Sequence, residues 1–369
     1  MSTFQKFIQY YKPYKKVFIF DLICAAFISL VDLAYPQILR SLTKTLFLKD
    51  ASTILKTLPV IGGILFICYV FQAFCKYYVS CQGHIMGAQM ERDMRRKLFD
   101  HYENLSFSYY DQHNTGQMMS RLVSDLFDIS EAAHHGPENL FISLVKIVGS
   151  FIFLFIIQWK LAIILLAIVL LMIFFSAKQN RKMQATFLDN RRKIGDVNAS
   201  LQDSLAGIRI VQSFANEDIE REKFRVGNEA FLDSKRDNYR AMGSFQSGNT
   251  FFQGMMYLVT LLAGGYFIAL GQMSAADLAM YALYIGIFIS PIQILVELTE
   301  MIQKGMSGFI RYQAIIDIEP EITDCVDAVD MKHPDGDICY HDVSFSYEDN
   351  EIVLNNIDFT IKSGKSVAL

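Results

Sequence analysis

The sequence has few of the residue patterns that metal-bound or disulfide-bonded domains need. Its 369 residues include six cysteines and seven histidines, but no CxxC pair and no two histidines four residues apart. Without such spacing, neither a disulfide framework nor a zinc site is expected, and we predict no metal site. An excess of positive charge is also missing, because 34 Lys and Arg residues are outnumbered by 38 Asp and Glu residues. Nucleic acid is therefore excluded as a partner.

Long apolar runs are abundant instead. Hydrophobic residues make up 52% of the chain, and its mean hydropathy is +0.25. A helix needs about 20 apolar residues to cross the hydrocarbon core of a bilayer. Runs of this kind occupy residues 17–39, 58–81, 140–157, 161–177, 250–270 and 278–296. The first carries Asp21 and Asp32 and is too long for the core of a cleaved signal peptide, so we expect six lasting membrane spans.

The distribution of lysine and arginine predicts the orientation of these spans. Four lysines precede the first span, and thirteen Lys and Arg residues lie between Lys178 and Arg240. Cytosolic loops carry such an excess, so both termini are predicted to be cytosolic. The loop between the first and second spans, which this orientation places outside the cytosol, is an exception to the excess of Lys and Arg on the cytosolic side. It contains Arg40, Lys44, Lys49 and Lys56.

The first 16 residues have the pattern of a short amphipathic helix. Phe4, Phe7, Ile8 and Tyr11 are spaced to share one face of a helix, and Pro13 then redirects the chain. We expect residues 1–16 to form an interfacial helix. A disordered tail is the alternative.

Two polar excursions, after the second and the fourth span, run for about 60 to 70 residues with helical periodicity and few breakers. Each must reverse direction once, and residues 108–116 and 213–218, with Gly207, carry the breakers for the turn. Helices that extend far beyond a membrane are costly to order unless their tips bind something. A cytosolic domain is the expected partner at both tips.

The pattern changes after the last span. Glu319 and Pro320 open an acidic linker, predicted as residues 319–337, and alternation then indicates two strands. Val343, Phe345 and Tyr347 alternate in the first strand, and residues 357–361 alternate in the second. The expected structure is a β-hairpin at the start of a further domain, residues 338–369, too small to fold by itself.

These features together resemble an ABC exporter half-transporter. The resemblance depends on the motifs VSFSY at residues 343–347, IVLNNIDFTI at 352–361 and SGKSVAL at 363–369. In addition, residues 94–125 and 201–218 are similar to the first and second intracellular loops of that family. The resemblance implies a mainly α membrane protein: a six-helix transmembrane domain, residues 17–318, with long intracellular helical extensions and an incomplete β start of a nucleotide-binding domain.

The resemblance also implies roles for particular residues. In the family, short coupling helices at the loop tips insert into nucleotide-binding domains. On that basis the coupling residues are Tyr109, Tyr110 and His113 at the first tip, and Phe214, Ala215 and Glu217 at the second. Tyr347 matches the aromatic residue that stacks on adenine. An ordinary strand tyrosine is the alternative for Tyr347.

One departure from the family concerns the phosphate-binding loop. The strand that ends in VAL leads in the family to the Walker A loop, and the sequence stops at Leu369. Gly364, Lys365 and Ser366 resemble the end of that loop, but Phe359 stands where its first glycine is needed. We therefore expect no catalytic residue and no ATP hydrolysis by this chain, which looks truncated, although the family implies ATP with Mg²⁺ as cofactor.

Four charged residues fall within or beside the apolar runs: Asp21, Asp32, Lys146 and Glu297. Charges in such segments are costly and often functional. Asp32 is the candidate for the substrate path. The alternative is that Asp32 and Lys146 pair with each other or contact water in a cavity.

The leading hypothesis is the transmembrane subunit of an ATP-driven exporter. It would dimerise with a second half-transporter in the bilayer, as a homodimer or a heterodimer, and move an unidentified small molecule, lipid or peptide. A non-enzymatic membrane subunit that regulates a complete transporter is the alternative. A secondary transporter fits less well, because such folds seldom carry paired long cytosolic helices.

Overall fold

The computed structural model describes residues 2–325, 327–333, 335–346 and 352–367. The chain forms two compact units, Met1–Glu319 and Pro320–Leu369. The α-helices of the first unit are α1 (Thr3–Gln9), α2 (Lys15–Ser41), α3 (Ala51–Tyr78), α4 (His84–Glu103), α5 (Phe107–Gln112), α6 (Thr115–Ser120), α7 (Leu126–Ala206), α8 (Ile208–Ser213), α9 (Glu217–Ala269) and α10 (Ala275–Ile316). Short π-helical segments follow α2, α3 and α6 at Leu42–Leu46, Val79–Gly83 and Arg121–Asp125, and Lys12–Tyr14 is a 3₁₀ turn.

Five helical stretches within the described residues are long and apolar enough to cross a membrane. The six predicted runs fit this number because the third and fourth both lie in α7. Gln158 separates them, with non-helical backbone angles of φ −152° and ψ 91°. The predicted fold class, a mainly helical membrane protein with long extensions and a small β element, is confirmed.

The break at Gln158 is stabilised by a buried tyrosine. Tyr281 of α10 donates its hydroxyl to the carbonyl oxygens of Leu154 and Gln158, at 2.7 and 2.8 Å. About one turn further along α10, the Tyr284 hydroxyl donates to the carbonyl oxygen of Leu33 in α2, at 2.8 Å. A backbone carbonyl inside an apolar bundle is costly unless it accepts a hydrogen bond. These tyrosines therefore satisfy the carbonyls where α2, α7 and α10 meet in the core.

Helices α7 and α10 approach closely at two glycines. A Cβ atom placed on Gly305 would lie 2.8 Å from the Asp128 carbonyl oxygen and closer still to Cβ of Ala132. The corresponding distance from Gly308 to the Asp125 carbonyl oxygen is 3.0 Å. Backbone atoms cannot move aside as the end of a side chain can. Small residues at these positions are therefore what lets the two helices pack so closely.

Gly305→Ala is expected to destabilise the protein by about 2 kcal/mol, because the added methyl group overpacks the contact of α7 with α10. The midpoint of thermal unfolding in detergent measures the effect. Gly254→Ala is the control, since no atom of the described residues lies within 4 Å of a Cβ atom at that position. Equal midpoints for the two variants would contradict this packing.

Helix α1 packs on the end of α10. The ring of Phe7 is buried and meets the ring of Phe309 edge-on, with centroids 5.2 Å apart. The Lys6 ammonium lies 2.9 Å from the Asp317 carboxylate and lowers the pKa of that group. Phe4 and Ile8 are exposed. The predicted amphipathic helix thus exists over Thr3–Gln9, and its placement in a membrane interface stays a prediction.

The second unit contains an antiparallel pair of strands, β1 (Ile338–Ser346) and β2 (Ile352–Ile361), in which Ile338 pairs with Ile361 and Ser346 with Ile352. The rings of Tyr340 and Phe359 stack across the pair at 4.5 Å. No described residue of either strand is buried. The two predicted strands are therefore present, and the predicted turn between them lies outside the described residues.

Candidate functional site

The first tip, residues 104–116, reverses the chain between α4 and α6. The side-chain amide of Asn104 donates to the Asp100 carbonyl oxygen at 2.7 Å, where α4 ends. Asn114 begins α6, because its side-chain oxygen accepts a hydrogen bond from the Gly116 amide at 2.7 Å. The Asn-Thr-Gly sequence that predicted a break therefore acts as a helix N-cap.

Two of the three residues expected to couple at the first tip hold the tip together. Tyr109 is buried, and its ring stacks on His113 at 4.1 Å between centroids. Nδ1 of His113 lies 2.8 Å from the Tyr109 carbonyl oxygen. Tyr110 is partly exposed and donates its hydroxyl to the Tyr102 carbonyl oxygen. Partial burial raises the pKa of Tyr110, so the phenol remains a neutral donor.

The outer face of the first tip is formed by a residue that the sequence prediction missed. Phe107 is 87% exposed at the start of α5. Its spacing of three residues from Tyr110 places both on one face of α5, whereas Tyr109 lies on the other. That helical spacing was the available signal. Phe107 and Tyr110 are therefore the aromatic side chains that a partner would meet.

The stem of the first tip is anchored to α10. Arg311 donates from Nε and Nη2 to the two carboxylate oxygens of Asp125, at 2.8 and 2.6 Å. This two-point contact fixes the π-helical segment that follows α6. The stem of the first tip is therefore joined to the last long helix by an ion pair.

The second tip, residues 205–219, is an exposed turn between α7 and α9. Gly207 ends α7, and none of the six residues of α8 is buried. Ala215 has a φ of 49°, a left-handed conformation that reverses the chain before Glu217 begins α9. The three residues predicted to couple here thus have distinct places: Phe214 on the surface, Ala215 in the turn and Glu217 at the helix start.

Apolar side chains dominate the surface of the second tip. Phe214 is 72% exposed and Ile210 66% exposed. The other large apolar side chains exposed at this tip are Leu205, Ile208 and Ile219. Isolated exposed apolar residues are ordinary, but a contiguous group on a protruding turn is typical of an interaction site.

Two of the four intramembrane charges, Asp32 and Lys146, pair with each other. Lys146 of α7 lies 2.6 Å from the Asp32 carboxylate of α2, and Gln72 of α3 donates to the same carboxylate at 2.8 Å. Asp32 therefore joins three helices. This is the predicted pairing with Lys146, the alternative to a place in the substrate path. At the far end of α2, Arg40 and Lys44 both lie 2.6 Å from the buried carboxylate of Asp277. Two of the cations that run against the charge rule thus have a local partner.

Sequence reasoning missed one cluster of possible metal ligands. Asp21 of α2 comes together with His134 and Glu138 of α7, and all three are buried. His84 and His135 adjoin the same place. The spacing of His134 and Glu138 was the available signal, because residues four apart share a helical face. Asp21, the third member of the group, is more than 100 residues away in the sequence, and no local sequence pattern links it to the other two.

Tyr347, the residue predicted to stack on adenine, lies outside the described residues. Lys365 is exposed and its amide donates to the Lys362 carbonyl oxygen at 3.1 Å in a turn that contains Gly364. Lys365 is therefore a residue of an exposed turn.

Comparison with known families identifies the apolar part of the chain. Residues 18–292 match the family described as the ABC transporter transmembrane region. That match includes the predicted first span except for its first residue, all of the second to fifth spans, most of the sixth and both tips.

Several curated proteins are similar over essentially the whole chain. An uncharacterised ABC transporter ATP-binding protein, YwjA of Bacillus subtilis (strain 168), is 36% identical over 99% of this chain and 63% of its own length. An ATP-dependent lipid A-core flippase of Syntrophus aciditrophicus (strain SB) is 24% identical over 100% of this chain and 61% of its own length. A putative multidrug export ATP-binding/permease protein of the same Bacillus, YgaD, is 25% identical over 100% of this chain and 64% of its own length. The chain thus spans less than two thirds of the length of these relatives.

Proposed function

Because this chain belongs to the ABC transporter transmembrane region family, we propose that it is the membrane-spanning part of an ATP-driven exporter. It dimerises with a second half-transporter in the bilayer, and the pair forms a path that opens alternately to the two sides. ATP with Mg²⁺ is bound and hydrolysed by nucleotide-binding domains that contact the two tips. The hairpin of β1 and β2 belongs to the start of such a domain.

The single observation that supports this most is the apolar surface of the second tip. Phe214 and Ile210 are mostly exposed on a turn that lies more than 30 residues from the nearest apolar run on either side. Such a surface is costly in water and is not placed to contact lipid acyl chains. A protein partner outside the membrane explains both facts. The exposed Phe107 and Tyr110 give the first tip a smaller surface of the same kind.

The transported molecule is proposed to be an organic amphiphile. The printed names of two relatives refer to lipid A-core and to multidrug export. A cleft of about 320 Å³ between α7 and α10 offers a fitting surface, since it is lined by apolar Ile173 and Ile292 together with Arg181. Mixed linings of this kind suit molecules with an apolar body and a polar group.

Reconstitution tests the proposed activity. The full-length gene product and the 369-residue chain are placed separately in proteoliposomes, and ATP hydrolysis and the uptake of a fluorescent amphiphile are measured. Hydrolysis and ATP-dependent uptake by the full-length product alone are expected. Hydrolysis by neither would favour the alternative of a regulatory subunit, and uptake driven by an ion gradient without ATP would overturn the proposal.

Both termini are proposed to be cytosolic, and native cysteines make this testable. Cys325 and Cys339 are exposed in the second unit. We expect a membrane-impermeant maleimide to label them only after the cells are permeabilised. Lys49→Cys in a Cys325→Ser/Cys339→Ser background is the matched control, because residue 49 is exposed in the first connection on the opposite side. Labelling of Cys325 in intact cells would show that the C-terminal unit lies outside the cell and would contradict the predicted topology.

A further inference from the structure

Five titratable side chains meet between α2, α4 and α7, and the proposed transport function uses none of them. Asp21, His134 and Glu138 are 1%, 3% and 6% exposed. One ligand atom of each lies within 4.8 Å of those of the other two. His84 and His135 lie against the same group, with ring centroids 4.6 and 4.5 Å from that of His134. Three carboxylate and imidazole groups are thus enclosed by helices from distant parts of the chain.

Several polar atoms of this group have no partner. Oδ1 of Asp21 and both ring nitrogens of His134 are buried without a hydrogen bond among the described residues. A carboxylate oxygen of Glu138 lies 3.5 Å from Nε2 of His134. Buried polar atoms are nearly always satisfied, and an unsatisfied one calls for an explanation such as an unseen ion. A metal ion bound here would satisfy Oδ1 of Asp21 and one of the two ring nitrogens of His134.

Within the described residues, no lysine or arginine forms an ion pair with the two buried carboxylates of the group. Glu138 instead lies near two imidazoles, 3.5 Å from Nε2 of His134 and 3.8 Å from Nδ1 of His135. Asp21 and Glu138 are two carboxylates, and a third acid, Glu131, lies 3.7 Å from Nε2 of His135. Lys76 of α3 acts electrostatically on both carboxylates, on Asp21 less than His84 does, but within the described residues it forms no ion pair with either carboxylate. Two buried negative charges without a cation are strongly unfavourable. A divalent cation would neutralise them completely.

The helix packing leaves room for the central imidazole. A Cβ atom on Gly83 would lie 3.0 Å from Nε2 of His134 and closer to Cε1. The absence of a side chain at Gly83, in the π-helical segment before α4, is therefore what allows the ring its position. At Gly87 a Cβ atom would make an ordinary contact of 3.5 Å with Cβ of His134.

We propose that Asp21, His134 and Glu138 bind one divalent transition-metal ion, of which Zn²⁺ is the best fit. Imidazole and carboxylate ligands together suit Zn²⁺ and its neighbours, whereas Mg²⁺ and Ca²⁺ prefer oxygen alone. Ligand atoms placed tetrahedrally at about 2.1 Å from the metal are about 3.4 Å apart. Side-chain rotations that move the ligand atoms by on the order of 1 Å bring the three groups to that distance. His84 and His135 surround the triad, and the ion ties α2 to α7.

Metal binding by the untagged chain in nanodiscs tests the inference. The protein is stripped with a chelator, Zn²⁺ alone is added, and bound metal is measured by equilibrium dialysis with elemental analysis, beside the thermal unfolding midpoint. We expect one Zn²⁺ per chain and a midpoint that rises with Zn²⁺. Substituting Co²⁺ should give the visible absorption spectrum of a tetrahedral site with nitrogen and oxygen ligands.

Ligand variants and a geometric pair distinguish this site from adventitious binding. His134→Gln and Asp21→Asn/Glu138→Gln are expected to weaken Zn²⁺ binding at least about 100-fold and to abolish the metal-dependent rise in midpoint. His101→Gln, outside the cluster, should bind as the wild type does. Gly83→Ala should weaken binding about 10-fold by displacing the imidazole, and Gly87→Ala should not.

The overturning results are equally defined. Absence of stoichiometric Zn²⁺ in the folded wild type would refute the site, as would unchanged binding in the Asp21→Asn/Glu138→Gln variant. If that variant is more stable than the wild type without metal and the wild type gains nothing from Zn²⁺, the carboxylates are buried as neutral acids and the inference fails. Transport is not part of these measurements, so their outcome is independent of the proposed export function.

Discussion

Replacing Phe214 with aspartate is expected to lower ATP-dependent transport by the full-length gene product about 30-fold, the effect of losing about 2 kcal/mol at an interface hot spot. Phe214 is the most exposed large side chain of the second tip. If that ring fills a pocket of a nucleotide-binding domain, a carboxylate in its place would be buried without a partner. The initial rate of uptake into proteoliposomes at saturating ATP measures the loss.

The matched control for this variant is Phe224→Asp, which places the same charge on an exposed phenylalanine of α9, ten residues away. Its transport should stay near that of the wild type. ATP hydrolysis separates two causes of a low rate: an uncoupled protein continues to hydrolyse ATP, whereas a misfolded one does not. If the Phe214→Asp variant transports at the wild-type rate, the second tip has no part in coupling ATP hydrolysis to transport.

Much of the fold follows from local pattern in the sequence. An apolar run of about 20 residues has few alternatives to a spanning helix, because only a helix satisfies its own backbone in lipid. The six runs and the two strands are therefore predictable one by one. What a single run does not reveal is how neighbouring runs join. The third and fourth spans were expected to be separate helices, and Gln158 breaks what is otherwise one continuous helix, stabilised by Tyr281 from a distant segment.

The candidate sites were less predictable, because they depend on which way a side chain faces. Tyr109 and Tyr110 are adjacent in sequence, yet one is buried in the first tip and the other is on its surface. The helical period of α5 would have separated them and identified Phe107. The group of Asp21, His134 and Glu138 is a stronger case, since it depends on the packing of two helices. The spacing of His134 and Glu138 within α7 indicates two of the ligands, but it cannot indicate Asp21, which lies on another helix.

The ion pair of Asp32 with Lys146 provides the second large expected effect. Lys146→Met should destabilise the protein by about 3 kcal/mol, the order of cost for an unpaired acid among apolar helices. The carboxylate would keep only the hydrogen bond from Gln72, at 2.8 Å. Unfolding in a graded mixture of detergents measures the change. Arg236→Met, which breaks an exposed ion pair with Asp233, is the control and should change stability little.

The double variant Asp32→Asn/Lys146→Met decides between the two interpretations of Asp32. Removing both charges leaves no unpaired acid, so most of the lost stability should return. If the pair serves only to join α2, α3 and α7, transport should return with stability. If Asp32 contacts the transported molecule, the double variant will be stable and still defective, with a raised KM for a cationic amphiphile in particular. Because stability and transport are measured on the same preparation, a structural ion pair and a substrate contact give opposite results in the double variant.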